Sequence, residues 1–151
     1  MNIVAADHPA LDRGAARFLT ELSAERRYFG PSAAANPKPF PSLIRALAEP
    51  SGFRLAAVEA GRVVGLVRID PHGHALIAVA ADRRGHGIGT ALGRAALERA
   101  IQLGFTRVVL RSTARSRAVR RVGEALGCVV VEHGRGRTDL IVDLHTTRRS
   151  A

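Results

Sequence analysis

A chain of 151 residues is long enough for one ordinary hydrophobic core and short for two. With 46% hydrophobic and 24% charged residues it is neither a disordered polymer nor a collagen-like repeat, and no apolar run nears the roughly 20 residues that span a bilayer. Lys and Arg number 23 against 13 Asp and Glu, a formal net charge of +10, and Lys38 is the only lysine. Chemistry that needs a Schiff-base or phosphate-loop lysine is therefore nearly excluded. An arginine-rich surface leaves anionic partners open. The lone Cys128 cannot form an internal disulfide or a thiolate metal site. The first residues lack the basic start and apolar block of a signal peptide. The expectation is a single domain over residues 1–151, cytoplasmic, without a membrane segment.

In chain order, residues 1–5 read as a short first strand. Asp7 and Pro9 then predict a helix start, with the helix running to about Glu21 and burying Leu11, Ala15, Phe18, Leu19 and Leu22. A short helical piece is expected at Ser23–Phe29, a loop at Pro31–Pro41, and a brief helix at Ser42–Ala48. Phe53–Glu59 and Arg62–Ile69 alternate around Ala60-Gly61 as a β-hairpin, and Ala75–Ala80 reads as a buried strand, giving an antiparallel meander. A long helix follows to about Leu103, with a stripe of Ile88, Leu92, Ala96, Ala100 and Leu103 and with Arg99 intruding beside it. A strand is expected at Arg107–Arg111, a helix at Ser116–Leu126, and two strands at Cys128–Glu132 and Thr138–Leu144 around the turn His133–Arg137. The fold class is α/β of the α+β type.

The informative stretch is Arg84-Gly85-His86-Gly87-Ile88-Gly89, set between the buried strand and the long helix. A helix N-terminus has unpaired N–H groups and the positive end of the helix dipole, so it favours an anion. Alternating glycines remove the side chains that would keep phosphates away from those groups. A diphosphate fits this longer run of donors better than a single phosphate. Other phosphate loops fit poorly. Thr90 and Leu92 stand where a dinucleotide fingerprint needs its third glycine, and no Gly-Lys-Ser/Thr exists. The competing reading is a helix start whose glycines serve only the turn.

On Arg84, Gly87 and Gly89, with Gly85 also in place, the chain resembles the GNAT superfamily of acyl-CoA-dependent N-acetyltransferases, whose signature is Arg/Gln-x-x-Gly-x-Gly/Ala. The element order is similar over nearly the whole chain, and Leu22–Tyr28 is similar to the opening of GNAT domains that acetylate protein lysines. The resemblance implies a mixed, mostly antiparallel central sheet of about six to seven strands flanked by helices, with the two central strands splayed apart. It implies acetyl-CoA as cosubstrate, with no metal. The pantetheine arm would lie along Val79, Ala80 and Ala81, and a main-chain N–H near Val79 would polarise the thioester. The diphosphate would lie on the turn of Arg84, Gly85, His86, Gly87, Ile88, Gly89 and Thr90, held by the N–H groups of residues 85–90 with the Thr90 hydroxyl as a further donor, and Ser116, standing where the family often has an Asn, could donate one hydrogen bond to the cofactor. Transfer would go directly to an amine, on a protein lysine or a small molecule; such domains frequently pair, which leaves room for a homodimer.

Direct aminolysis needs a neutral amine and hence a route for its proton. Where many lysine-acetylating relatives carry a Glu, this sequence has His74, whose ordinary pKa lies near working pH; the alternative is a turn histidine facing solvent. Glu59 and Asp70 are reserve bases. The position of the family's helix Tyr, the acid for the departing thiolate, holds Gly123, and the only tyrosine is Tyr28. Asp70, His72 and His74 lie on a Pro71-Gly73 turn, a poor frame for a metal. The arginines at 111, 115, 117, 120 and 121 read as a solvated face or as contacts to the ribose phosphate. The missing Tyr and Glu keep a non-catalytic acyl-CoA-binding module open. Nucleic-acid binding is disfavoured, since one Tyr and five Phe form no stacking cluster.

Overall fold

Strand alternation organises the centre of the chain. The computed structural model describes residues 1–6, 11–24, 39–113, 117–133 and 137–144. Its strands are β1 (Asn2–Ala5), β2 (Phe53–Glu59), β3 (Arg62–Ile69), β4 (His74–Val79), β5 (Arg107–Thr113), β6 (Val129–His133) and β7 (Arg137–Asp143). They form one seven-stranded sheet in the order β1-β2-β3-β4-β5-β7-β6. Every neighbouring pair is antiparallel except β4–β5, which is parallel. The β2–β3 hairpin closes through Ala60 and Gly61, whose φ angles of 50° and 76° give the doubly left-handed turn that suits the twist of two strands.

Helices α1 (Asp12–Ser23) and α2 (Pro39–Ala48) pack together and against β3, while α3 (Ile88–Gln102) lies on β2, β3 and β4 and touches α4 (Arg117–Ala125). A single extra residue explains how β3 serves both layers. Ala57 pairs with Gly65 but Val58 pairs with Val63, so Val64 is a bulge that reverses the alternation. Val63 consequently meets α1, where a Cβ on Gly14 would lie 2.9 Å from it, and Gly65 turns to α3, where its own Cβ would lie 2.8 Å from Leu92. The bulge carbonyl of Val64 accepts the Ala80 N–H at 2.8 Å, so it also fixes where β4 ends.

The core follows the expected stripes, with differences at the ends. Ala15, Phe18, Leu19 and Leu22 of α1 are buried, as are Ile88, Leu92, Ala96 and Ala100 of α3. Leu103 is not part of the stripe: it caps α3 and is 50% exposed, because the chain turns away at Gly104. Arg99 does not intrude; it is exposed and donates to Gln102 at 3.4 Å. The first long helix is described from Asp12, with Leu11 as its N-cap and the Asp12 carboxylate in its first turn beside the positive helix end, while the start expected at Asp7 and Pro9 lies outside the described residues. The second begins at Pro39, inside the stretch expected to be loop, since proline tolerates a first helical turn where its missing N–H is not needed. β5 continues to Thr113, and β7 inserts between β5 and β6, an order that chain sequence does not announce. The helical piece expected at Ser23–Phe29 falls almost wholly outside the described residues.

Candidate functional site

The site begins where β4 leaves β5. Hydrogen bonds from Asp70 N–H to His74 O and from Ala80 N–H to Val64 O show that even-numbered β4 residues turn their main chain to β3. The main chain of Ala75, Ile77 and Val79 is thereby directed towards β5. Pairing with β5 extends only over His74↔Val109 and Ala75↔Leu110. Beyond Ala75 the two strands part, and the C-terminal half of β4 borders a gap at the centre of the sheet. The Ile77 and Val79 side chains lie on the α3 side, each 3.8 to 4.0 Å from where a Cβ on Gly89 would sit.

Directly after the gap comes the glycine turn. Gly85 and Gly87 have φ angles of 77° and 80°, a region that L side chains rarely enter, and a Cβ on either would meet nothing within 4 Å. Both residues thus leave their outer side open. Gly87 is the N-cap of α3, and the first main-chain N–H to reach back is that of Ala91, to Gly87 O at 3.0 Å. Among the described residues, no acceptor is found for the main-chain N–H groups of Gly85, His86, Gly87, Ile88, Gly89 or Thr90. Six consecutive donors therefore stand at the mouth of a 15-residue helix. Gly89 plays a different part. A Cβ there would touch Val122 at 3.4 Å, so this glycine brings α3 close to α4.

The turn is braced from several sides. Arg84 Nε donates to Val79 O at 3.2 Å, so the signature arginine ties the turn to the end of β4. His86 Nδ1 donates to Arg84 O at 2.9 Å, which requires its proton on that nitrogen. Preceding these residues, a 3-10 turn at Ala81–Arg83 carries two ion pairs that the sequence does not advertise. Arg62 grips Asp82 with two bonds of 2.8 and 3.1 Å, and Arg83 donates to Glu59 at 2.8 Å. The Arg62 bond holds the Asp82 carboxyl below its usual range. Arg62 also lies 3.5 Å from Glu21 of α1. Between α1 and this turn sits a cavity of about 160 Å³, with Phe18, Leu22, Ala80 and Ala81 on its apolar walls and Glu21, Arg62 and Asp82 beside them.

His74 stands apart. It opens β4 at the paired end, and five residues of strand place it about 17 Å from Val79 at ~3.3 Å per residue. Its Nδ1 is 3.4 Å from Asp70, whose other carboxylate oxygen accepts the N–H groups of His72 at 2.8 Å and His74 at 2.9 Å. Partial burial works to raise the Asp70 pKa, but these hydrogen bonds and the nearby His74 and Arg68 outweigh it and hold the pKa low. The structure thus brings Val79, Ala80 and Ala81 together with Arg84 to Thr90, and leaves His74 at the other end of the strand. Ser116, Arg115 and Tyr28 lie outside the described residues. At Gly123, where the resemblance would put a tyrosine, a Cβ would approach the buried Leu140 to 2.6 Å. Among the described residues no group of three His, Cys, Asp or Glu gathers as a metal site, and no helix is long and apolar enough to cross a membrane.

The sheet is thus parted at its centre, and at the open end stands an array of N–H donors of a kind able to hold an anion. The model of the Acetyltransferase (GNAT) family matches residues 16–128, and the chain belongs to that family. Solved structures share the fold. A ribosomal-protein-alanine N-acetyltransferase from Brucella melitensis superposes with a TM-score of 0.63 at 18% identity, covering 93% of this chain and 97% of that one. yncA from Salmonella typhimurium, solved with its cofactor acetyl-CoA, gives 0.66 at 16% identity over 95% of both chains. An aminoglycoside 6'-N-acetyltransferase complexed with coenzyme A gives 0.61 at 16% identity, over 93% of this chain and 94% of that one. No curated protein matches the sequence.

Proposed function

We propose that this GNAT acetyltransferase moves an acetyl group from acetyl-CoA to an amine, on a protein lysine or a small molecule, and that residues 1–151 act as one domain. The observation that carries this reading is the run of six N–H donors from Gly85 to Thr90 at the head of α3. These residues fit the diphosphate of CoA: the donors are consecutive, no side chain stands over Gly85 or Gly87, and the helix dipole favours the negative charge. Bound there, acetyl-CoA supplies an activated thioester that a neutral amine attacks directly. The chain's part is to hold and orient. Gly85 to Thr90 hold the phosphates, Val79 to Ala81 line the approach to the gap, and Arg84 fixes the turn to the strand. We leave His74 out of the proton path, since it sits at the paired end of β4 in contact with Asp70.

A second reading is kept by one observation. Gly123, packed against Leu140, leaves no room for the tyrosine acid, so the same site suits a module that binds acyl-CoA without turnover. The deciding measurement is thiol release from acetyl-CoA against a panel of amines, run beside calorimetric titration of CoA. Binding with turnover supports the enzyme, binding without turnover on any amine supports the module, and no binding overturns both.

A further inference from the structure

The two ion pairs on the Ala81–Arg83 turn have a common origin. Glu59 and Arg62 are cross-strand partners at the end of the β2–β3 hairpin, and they reach to successive residues of the turn with opposite signs. Arg62 takes Asp82 and Glu59 takes Arg83. The hairpin end is closed by a two-residue turn between paired strands, whereas the segment from Ala81 to Gly87 has no strand partner and contains two left-handed glycines. A forked guanidinium on a carboxylate fixes orientation as well as distance. Yet the Arg62 and Asp82 side chains are 39% and 60% exposed, and pairs this open add little to the stability of a whole fold. Global stability therefore does not account for a crossed clamp on this turn; order in the segment that follows does.

We propose that Arg62, seconded by Glu59, is a positioning residue for the cofactor: by clamping Asp82 and Arg83 it holds the donor run Gly85–Thr90 in the shape that receives a diphosphate. Neither residue touches the ligand in this account. The inference rests on the reading of those donors as the CoA diphosphate site.

The test measures CoA affinity by calorimetry for the full chain and for Arg62→Gln and Asp82→Asn. Each variant should bind CoA about fivefold more weakly, the scale of one well-oriented exposed pair, with an unchanged melting temperature. The apparent KM for acetyl-CoA should rise while kcat at saturation holds. Weak binding of pantetheine, which lacks the diphosphate, should not change in either variant. CoA affinity untouched in both single variants overturns the clamp while leaving the diphosphate site standing. Failure of the unaltered chain to bind CoA overturns the site and the clamp together. Should Arg62→Gln fail to fold, Asp82→Asn, altered at a more exposed side chain, decides alone.

Discussion

The two ends of β4 use glycine for opposite purposes. At the paired end, Gly73 has φ 87° and a Cβ there would lie 2.5 Å from Arg107 O, so glycine is required because another strand passes against it. The main chain here is engaged: Gly73 N–H goes to Asp70 O, Gly73 O accepts from Val109, and the Asp70 carboxylate accepts the N–H groups of His72 and His74. At the parted end, Gly85 and Gly87 have similar angles, but a Cβ on them would meet nothing. Their backbone conformation is as unusual as that of Gly73, while the space above them is empty and their N–H groups find no acceptor among the described residues. A glycine with satisfied neighbours and a close backbone builds the fold; a glycine with open space and unspent donors leaves room for the phosphates that the proposed function puts there.

Substitution at each end should separate these two roles. Gly73→Ala combines a disfavoured backbone angle with a backbone clash and should cost about 3 kcal/mol in urea unfolding. CoA affinity of the remaining folded fraction should be near normal. Gly87→Ala carries only the angle, about 1 kcal/mol of stability, but it disturbs the N-cap from which the donors start. CoA should bind about tenfold more weakly, the equivalent of one charge-assisted hydrogen bond to the phosphates. Equal loss of affinity in both variants would break the contrast between the two ends.

Local pattern made much of this readable. The β2–β3 hairpin falls on the residues that alternate, with its turn at Ala60-Gly61, and the glycine run identifies the mouth of α3 because turn chemistry and helix start are both written within a few positions. What escaped depends on distant partners. The Val64 bulge is visible only once β2 and β3 are in register. The insertion of β7 between β5 and β6 is a choice among strands of similar composition. The clamp of Arg62 on Asp82 joins residues 20 apart, and neither residue type nor spacing distinguishes that arginine from the many others in the chain. The pairing of His74 with Val109, which sets it at the end of β4 away from Val79, likewise depends on a strand more than thirty residues further on.

The paired end yields the two smallest effects. Asp70 has a lower pKa folded than unfolded, so the folded chain binds fewer protons and stability from this group increases with pH through that window. The contribution is complete above the unfolded value near about 4 and is lost as pH falls through the folded one. Asp70→Asn keeps an acceptor for the His72 and His74 N–H groups but drops the charge, and should cost about 1 kcal/mol at neutral pH. Urea midpoints of the two proteins should draw together as pH is taken below about 4; a constant difference down to strong acid would show that the charge is not what Asp70 contributes. His74→Ala should change least of all. It leaves the main-chain bond to Asp70 in place, and at about 17 Å of strand from Val79 it should shift neither kcat nor the pH profile of turnover. A lost limb of that profile would instead restore His74 to the proton path, and would mean that the gap carries an ordered relay along β4 from its paired end to its open one.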